Sequence, residues 1–404
     1  LIKKLTKQEK FMYLNSLFPR NALLDFIFVT FYITKLSITI DKYLYLDTLL
    51  FVLITAFEMP SGYISDLFGR KRILILGKLI LVFSMIGLLF STNFLHGVLV
   101  IIFYSIGAAL ASGNTEAILF EYYSDTDQLN KYKVILTNVS SIGLTLGIVL
   151  SFLSGIIFKF NIQYIIYLDI IIYTINILAT IYFLEESKIK VRKNEKEDKK
   201  EDNKVKEFVD IKVIISFVIT SFIFVFFRST YNFYQPIYTD FGIDVKYFGM
   251  FTVLFSIIGV ITNQILKKYF IKKIKYNNLS IMKIYISILF TSFLIMYSKS
   301  SFILFMLFIC IQQVIRYIEG NIVTIYVNKK IPENTKYRTT YLSIQHFITT
   351  GLISMTLIFS SYILKFLSMY TTFFVISLIF TLLVSMLLLI LKRMELNSKK
   401  IKYN

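Results

Sequence analysis

Ionisable and amide side chains set inside apolar stretches are where this 404-residue chain could do chemistry. A charge at the centre of a membrane helix costs about 2.5–3.5 kcal/mol on insertion scales, so it stays only where it has a partner or a task. Asp25, Glu116 and Glu319 could each take up and release a proton. Arg228 and Arg316, with Asn114, Asn232, Gln235, Gln312 and Gln313, offer charge and hydrogen bonds to a polar solute. Asp25 is the one acid well inside the first apolar block, where burial disfavours a carboxyl's charged form; it is the first candidate for carrying a proton. Arg316 and Glu319, three residues apart, share a helix face and are placed to pair. Lys78, Asp169 and Lys283 fall near segment ends or interfaces, where snorkelling accounts for the two lysines.

A second constellation is Gly62-Tyr63-Ile64-Ser65-Asp66-Leu67-Phe68-Gly69-Arg70-Lys71-Arg72. Gly62 would let two helices approach closely, and Gly69 would permit a tight turn. Asp66 and Arg70, one turn apart, could pair as a latch, while Arg70, Lys71 and Arg72 hold the loop on the cytoplasmic side. Gly259, Asn263, Lys267 and Lys268 repeat the spacing about half a chain later, with Leu266 in place of the second glycine, as in parallel transporter repeats.

The elements that must position these residues are membrane helices. The chain is 56% hydrophobic and 17% charged, more apolar than the roughly 45–50% of soluble domains. Its apolar residues gather in blocks of about twenty, enough to cross a ~30 Å hydrocarbon core. The blocks predict spans at 17 to 37, 45 to 62, 73 to 92, 97 to 118, 136 to 158 and 163 to 184. A second set follows at 211 to 236, 247 to 266, 279 to 298, 301 to 326, 340 to 364 and 370 to 391. The expected domains are a six-helix bundle over 1–184, a charged cytoplasmic linker over 185–210, and a second bundle over 211–404 with a short basic tail. The linker's mixed charge and low apolar content leave it nothing to bury.

The net charge of +19 is a topology signal. Most Lys and Arg fall on the side of the termini, which predicts cytoplasmic N- and C-termini in the plasma membrane and argues against a nucleic-acid partner. The first apolar block is long and has no small-residue cleavage site, so it reads as an anchor. The chain opens on Leu1 rather than Met, which allows a trimmed or non-standard start. One cysteine, Cys310, and two histidines, His96 and His346, leave little material for a disulfide, a metal site or His-based catalysis. No metal and no cofactor are expected.

The loop resembles the signature of the major facilitator superfamily, Gly-x-x-x-Asp-x-x-Gly-Arg-Lys/Arg between helices 2 and 3, matched at Gly62, Asp66, Gly69, Arg70 and Lys71. Glu58-Met59-Pro60-Ser61-Gly62, Ser112-Gly113-Asn114-Thr115-Glu116-Ala117 and Arg338-Thr339-Thr340-Tyr341-Leu342-Ser343 are similar to a bacterial exporter-like branch of that family. The resemblance implies an all-α membrane fold of about 12 helices, in two pseudo-symmetric six-helix bundles around a cavity that opens alternately to each side. In that family helices 1, 4, 7 and 10 line the cavity, which would bring together Asp25, Asn114, Glu116, Arg228, Asn232, Gln235, Gln312, Gln313, Arg316 and Glu319. Two antiporter features are absent: the fourth segment has no Arg, and the fifth has Gly143, Gly147 and Gly155 without Pro.

These readings predict a secondary transporter, a monomer in the lipid bilayer that uses protons to expel small amphipathic compounds. The alternative is an uptake symporter for a sugar, organic anion or peptide. A membrane-embedded enzyme would need a nucleophile with its base or clustered acids and histidines, and none is evident. No Gly-x-x-x-x-Gly-Lys-Ser/Thr loop points to ATP.

Overall fold

Lipid offers no partner to an open backbone, and among the described residues every regular element is helical. The computed structural model describes residues 5–112, 114–126, 128–185, 211–266, 278–330 and 338–403. The linker after 185 and Lys267 and Lys268 lie outside them, as do the side chains of Asp66, Glu116 and Arg338. The helices are α1 (Lys7–Leu17), α2 (Phe28–Leu36), α3 (Ile40–Phe68), α4 (Arg70–Phe90), α5 (Phe94–Ala111), α6 (Asn114–Asp125), α7 (Leu129–Phe160) and α8 (Ile162–Phe183). After the linker come α9 (Ile211–Asp240), α10 (Phe248–Ile265), α11 (Asn278–Tyr297), α12 (Phe302–Lys330), α13 (Arg338–Ile363) and α14 (Met369–Tyr403). Ten segments among the described residues are long and apolar enough to cross a membrane. The 29 residues of α3 would extend about 43 Å, which is also enough.

The chain forms two compact units, Leu1–Arg192 with Tyr238–Val253, and Lys193–Ile237 with Leu254–Asn404. In the first unit, residues 238–253 pack on α7. A Cβ on Gly155 would stand 2.5 Å from the Val245 carbonyl oxygen, and one on Gly249 would collide with the Ser151 backbone. Beside this contact Lys159 Nζ lies 2.5 Å from Asp244 Oδ2. That ammonium holds the half-buried Asp244 carboxyl below its ordinary range.

Two expected spans are not single helices. The first crossing is made by α1 and α2, separated by a turn and a short 3-10 helix at Leu24–Phe26. Pro19 cannot continue α1, and Asn21 takes a left-handed φ of 50°, which its short polar side chain tolerates. The fourth span breaks between α5 and α6, after Ser112. Apolar content marks membrane depth but not helical continuity, so both breaks escape a hydropathy reading.

The two signature glycines differ. Gly69 has φ 94° and forms the turn from α3 into α4, a conformation glycine adopts at no steric cost. Among the described residues Gly62 is no contact point: a Cβ there would meet nothing within 4 Å. Close approach occurs instead between α4 and α5, where a Cβ on Gly77 would be 2.9 Å from the Gly107 carbonyl oxygen and one on Gly107 2.8 Å from that of Gly77. Small residues are what permit such backbone contact in a membrane. Replacing Gly107 by Val should therefore force the pair apart and lower stability by about 1–3 kcal/mol, while Gly62→Ala should leave it unchanged or raised. Thermal unfolding in detergent distinguishes the two, and equal effects would refute this account of the packing.

Candidate functional site

A broken membrane helix exposes the last carbonyls of its first half and the first N–H groups of its second. In the first unit both sets find partners on one face of α8. Asp169, 2% exposed, accepts the Leu23 N–H at 2.9 Å through Oδ1 and the Leu24 N–H at 3.0 Å through Oδ2. Two turns along, the buried Asn176 donates its amide to the Phe18 carbonyl at 2.6 Å and to Asn15 Oδ1 at 3.2 Å. A negative group at the N-terminal end and a donor at the C-terminal end also suit the helix dipoles. Asp169 and Asn176 straddle the middle of the 22-residue α8, each about 5 Å from it. The break is therefore level with the middle of α8, a helix long and apolar enough to cross a membrane, and transporters place discontinuous helices and their solutes near the midplane.

The turn itself presents three functional groups. The Asn21 amide donates to Tyr104 Oη at 2.7 Å and to Asp25 Oδ1 at 3.1 Å. The Arg20 guanidinium lies 5.2 Å from the Tyr104 ring centroid. Arg20 and Asp25 are both exposed, whereas Leu23, Leu24, Ile27 and Phe31 anchor the turn in the unit's apolar core. Asp25 is thus not the buried carboxyl the sequence led us to expect; it sits in a 3-10 turn with its side chain accessible, because the helix that would have buried it is interrupted. A cation, an anion and an aromatic face are brought together here, a set suited to a charged solute with an apolar body.

Lys78 also departs from expectation. It does not snorkel: it is 4% exposed, and its ammonium donates to Asn176 Oδ1 at 2.6 Å and Thr180 Oγ1 at 2.7 Å. Lys283 is exposed. Lys71 caps the end of α8, donating to the carbonyls of Ile181 at 3.0 Å and Leu184 at 2.5 Å. Asn114 commits its amide to Ser65 Oγ at 2.9 Å and the Leu110 carbonyl at 2.7 Å. It bridges the second helix break and fastens α6 to α3 above the signature turn. The sequence reading puts Asp169 near a segment end or interface and passes over Asn176, yet Asp169, Tyr173, Asn176 and Thr180 recur at helical spacing along an otherwise apolar segment. That stripe was the available signal.

The second unit brings together most of the remaining candidates. On α9, Arg228 donates to Asn232 Oδ1 at 3.1 Å, and Gln235 continues the same face, buried like Asn232. On α12, Arg316 donates to Gln313 Oε1 at 3.4 Å, and the Gln313 amide donates to Tyr234 Oη of α9 at 3.2 Å. Gln312 turns the other way, to Thr291 and Ser292 of α11 at 3.2 and 3.1 Å, so it ties helices together. Arg316 is exposed and forms no ion pair with Glu319, which is 7% exposed with Oε2 lacking any hydrogen-bond partner. The expected pair fails because Arg316 bonds toward Gln313 instead. A buried carboxylate oxygen left without a hydrogen bond is costly in low dielectric, and a bound proton relieves that cost.

In the first unit, Asn176→Leu should be strongly destabilising, by about 3 kcal/mol, since it strips a partner from a buried ammonium. Adding Lys78→Met should recover part of that loss, giving a coupling of about 0.5–3 kcal/mol between the two sites. Reversible unfolding of the two single variants and the double variant measures it; strict additivity would mean the lysine does not depend on Asn176.

Residues 18–343 match the family model described as Major Facilitator Superfamily. No curated protein matches the sequence. Among solved structures the chain is similar to a mutant of the nucleoside transporter NupG, with a TM-score of 0.72 and 14% identity over 96% of this chain and 98% of that one. It is also similar to a peptide transporter POT in complex with sulfate, with a TM-score of 0.70 and 12% identity over 97% and 96%. The inward-open xylose transporter XylE from E. coli gives a TM-score of 0.67 and 13% identity over 94% of each chain.

Proposed function

The chain belongs to the Major Facilitator Superfamily and is a membrane transporter, and we propose that it expels small amphipathic solutes by alternating access, driven by protons bound at Glu319. The observation that carries the coupling is the buried Glu319 carboxyl with its partnerless Oε2. Among the described candidate acids it is the one whose surroundings change most in cost when a proton is lost. Asp25, exposed and bonded to Asn21, is better suited to touching solute than to storing a proton away from water. An amphipathic cargo is supported by the turn at 18–27, where the Arg20 guanidinium faces the Tyr104 ring and the Asn21 amide links Tyr104 Oη to Asp25. The termini are assigned to the cytoplasm from the excess of Lys and Arg on their side, and the working unit is a monomer.

The coupling step needs no covalent chemistry. A proton entering Glu319 removes a charge from the buried face of α12, and its departure restores it. Only a protein that alternates which side reaches this carboxyl converts that cycle into work. Glu319→Gln keeps the shape and removes the titration, so it should abolish pH-driven accumulation in inside-out vesicles while solute exchange at equal pH continues. Full uphill transport by the variant would move coupling to Asp25 or Glu116. Accumulation in right-side-out vesicles under an inward proton gradient would replace export with uptake.

A further inference from the structure

Helices α4 and α5 touch backbone to backbone at Gly77 and Gly107 and separate toward the turn that joins them. There the small residues Ser84, Gly87 and Ser91 leave a cavity of about 310 Å³, walled by Phe83, Phe90 and Phe103. This is near the lower limit of ligand pockets, ~300 Å³, and suits part of an acyl chain better than a whole drug-sized solute. The three phenylalanines are 58%, 77% and 43% exposed on helices apolar enough to span a membrane. Both serine hydroxyls are turned into their own helix, Ser84 to the Leu81 carbonyl at 2.7 Å and Ser91 to that of Gly87 at 2.8 Å. The wall they leave is apolar.

The end of the cavity nearest the turn is different. Lys35 donates to the Leu89 carbonyl at 2.8 Å, next to the lining residue Phe90, and an ammonium keeps two further N–H groups. The neighbouring Leu36 meets α5 at Gly97, where a Cβ would be 2.6 Å from Leu36 Cδ1. Lys35, held at the last turn of α4, and the lining residue His96, in the first turn of α5, both belong to the end of the cavity where the two helices join. The Thr92 N–H donates to His96 Nδ1 at 3.3 Å, so Nε2 carries the ring proton and is a donor. Donors and positive charge gather at the mouth, with aromatic walls behind them.

We propose that this groove binds an anionic phospholipid, its phosphate at Lys35 and His96 and one acyl chain among Phe83, Phe90 and Phe103. A fully apolar occupant would leave the mouth's donors unused, and a water-soluble anion would leave the aromatic walls uncovered. The charge complementarity follows the attraction of basic residues for anionic headgroups.

Native mass spectrometry of the full chain with added phosphatidylglycerol or phosphatidylcholine tests the assignment. Wild type should retain one phosphatidylglycerol in preference to phosphatidylcholine, and Lys35→Gln with His96→Gln should reduce that preference about fivefold or more. Gly87→Leu should reduce retention of both lipids by filling the groove. A Cβ at Gly87 meets Val100 at an ordinary 3.5 Å, so that helix pair should tolerate it. Equal retention of the two lipids by wild type, or undiminished phosphatidylglycerol binding in both variants, overturns the proposal.

Discussion

The arrangement of the first unit depends on one requirement: backbone groups freed by a helix break in the middle of a membrane must be bonded by protein. Asp169 and Asn176 meet it from two turns of a single helix, taking the N–H groups of Leu23 and Leu24 and the carbonyl of Phe18. Without them the turn at 18–27 would expose several backbone groups to hydrocarbon, at several kcal/mol each. With them, the turn can hold Arg20, Asn21 and Asp25 where an unbroken helix would have buried or dispersed them. The buried Lys78 belongs to the same scheme, because its ammonium shares Asn176 and fixes α4 to α8, the helix that supports the turn.

The second unit solves a different problem. Its polar residues lie on continuous helices, and their hydrogen bonds run side chain to side chain, from Arg316 through Gln313 to Tyr234. Glu319 stands apart from that chain with an unsatisfied oxygen. The solute-facing chemistry proposed for the first unit and the proton chemistry proposed for the second are thus separated by local structure: one is an accessible turn, the other a buried carboxyl.

Hydropathy made most of the fold legible. The expected spans from 211 onward coincide with α9 to α14 to within a few residues at most of their ends, because each is a single apolar helix bounded by polar loops. The family was legible from Gly69 and its neighbours, whose types are dictated by a positive φ and a charged rim. What escaped were features set by distant partners. Pro19 inside an apolar run could have kinked a helix or ended it, and only Asp169 and Asn176, some 150 residues away, decide for a supported break. Lys78 reads as a snorkelling residue until Thr180 and Asn176 are placed beside it. Gly62 reads as a contact glycine by type, yet the close approach belongs to Gly77 and Gly107, which no motif marks.

The central claim is that the Asp169 carboxylate holds the break closed. Site-resolved amide exchange of the protein in nanodiscs reaches it directly, at the two N–H groups that bond to Asp169. In wild type the Leu23 and Leu24 amides should exchange slowly. In Asp169→Leu they should exchange about tenfold faster or more, the loss of a hydrogen bond to a charged group, while amides in the middle of α8 and α14 keep their protection. Unchanged exchange at Leu23 and Leu24 in a folded Asp169→Leu protein would contradict the account.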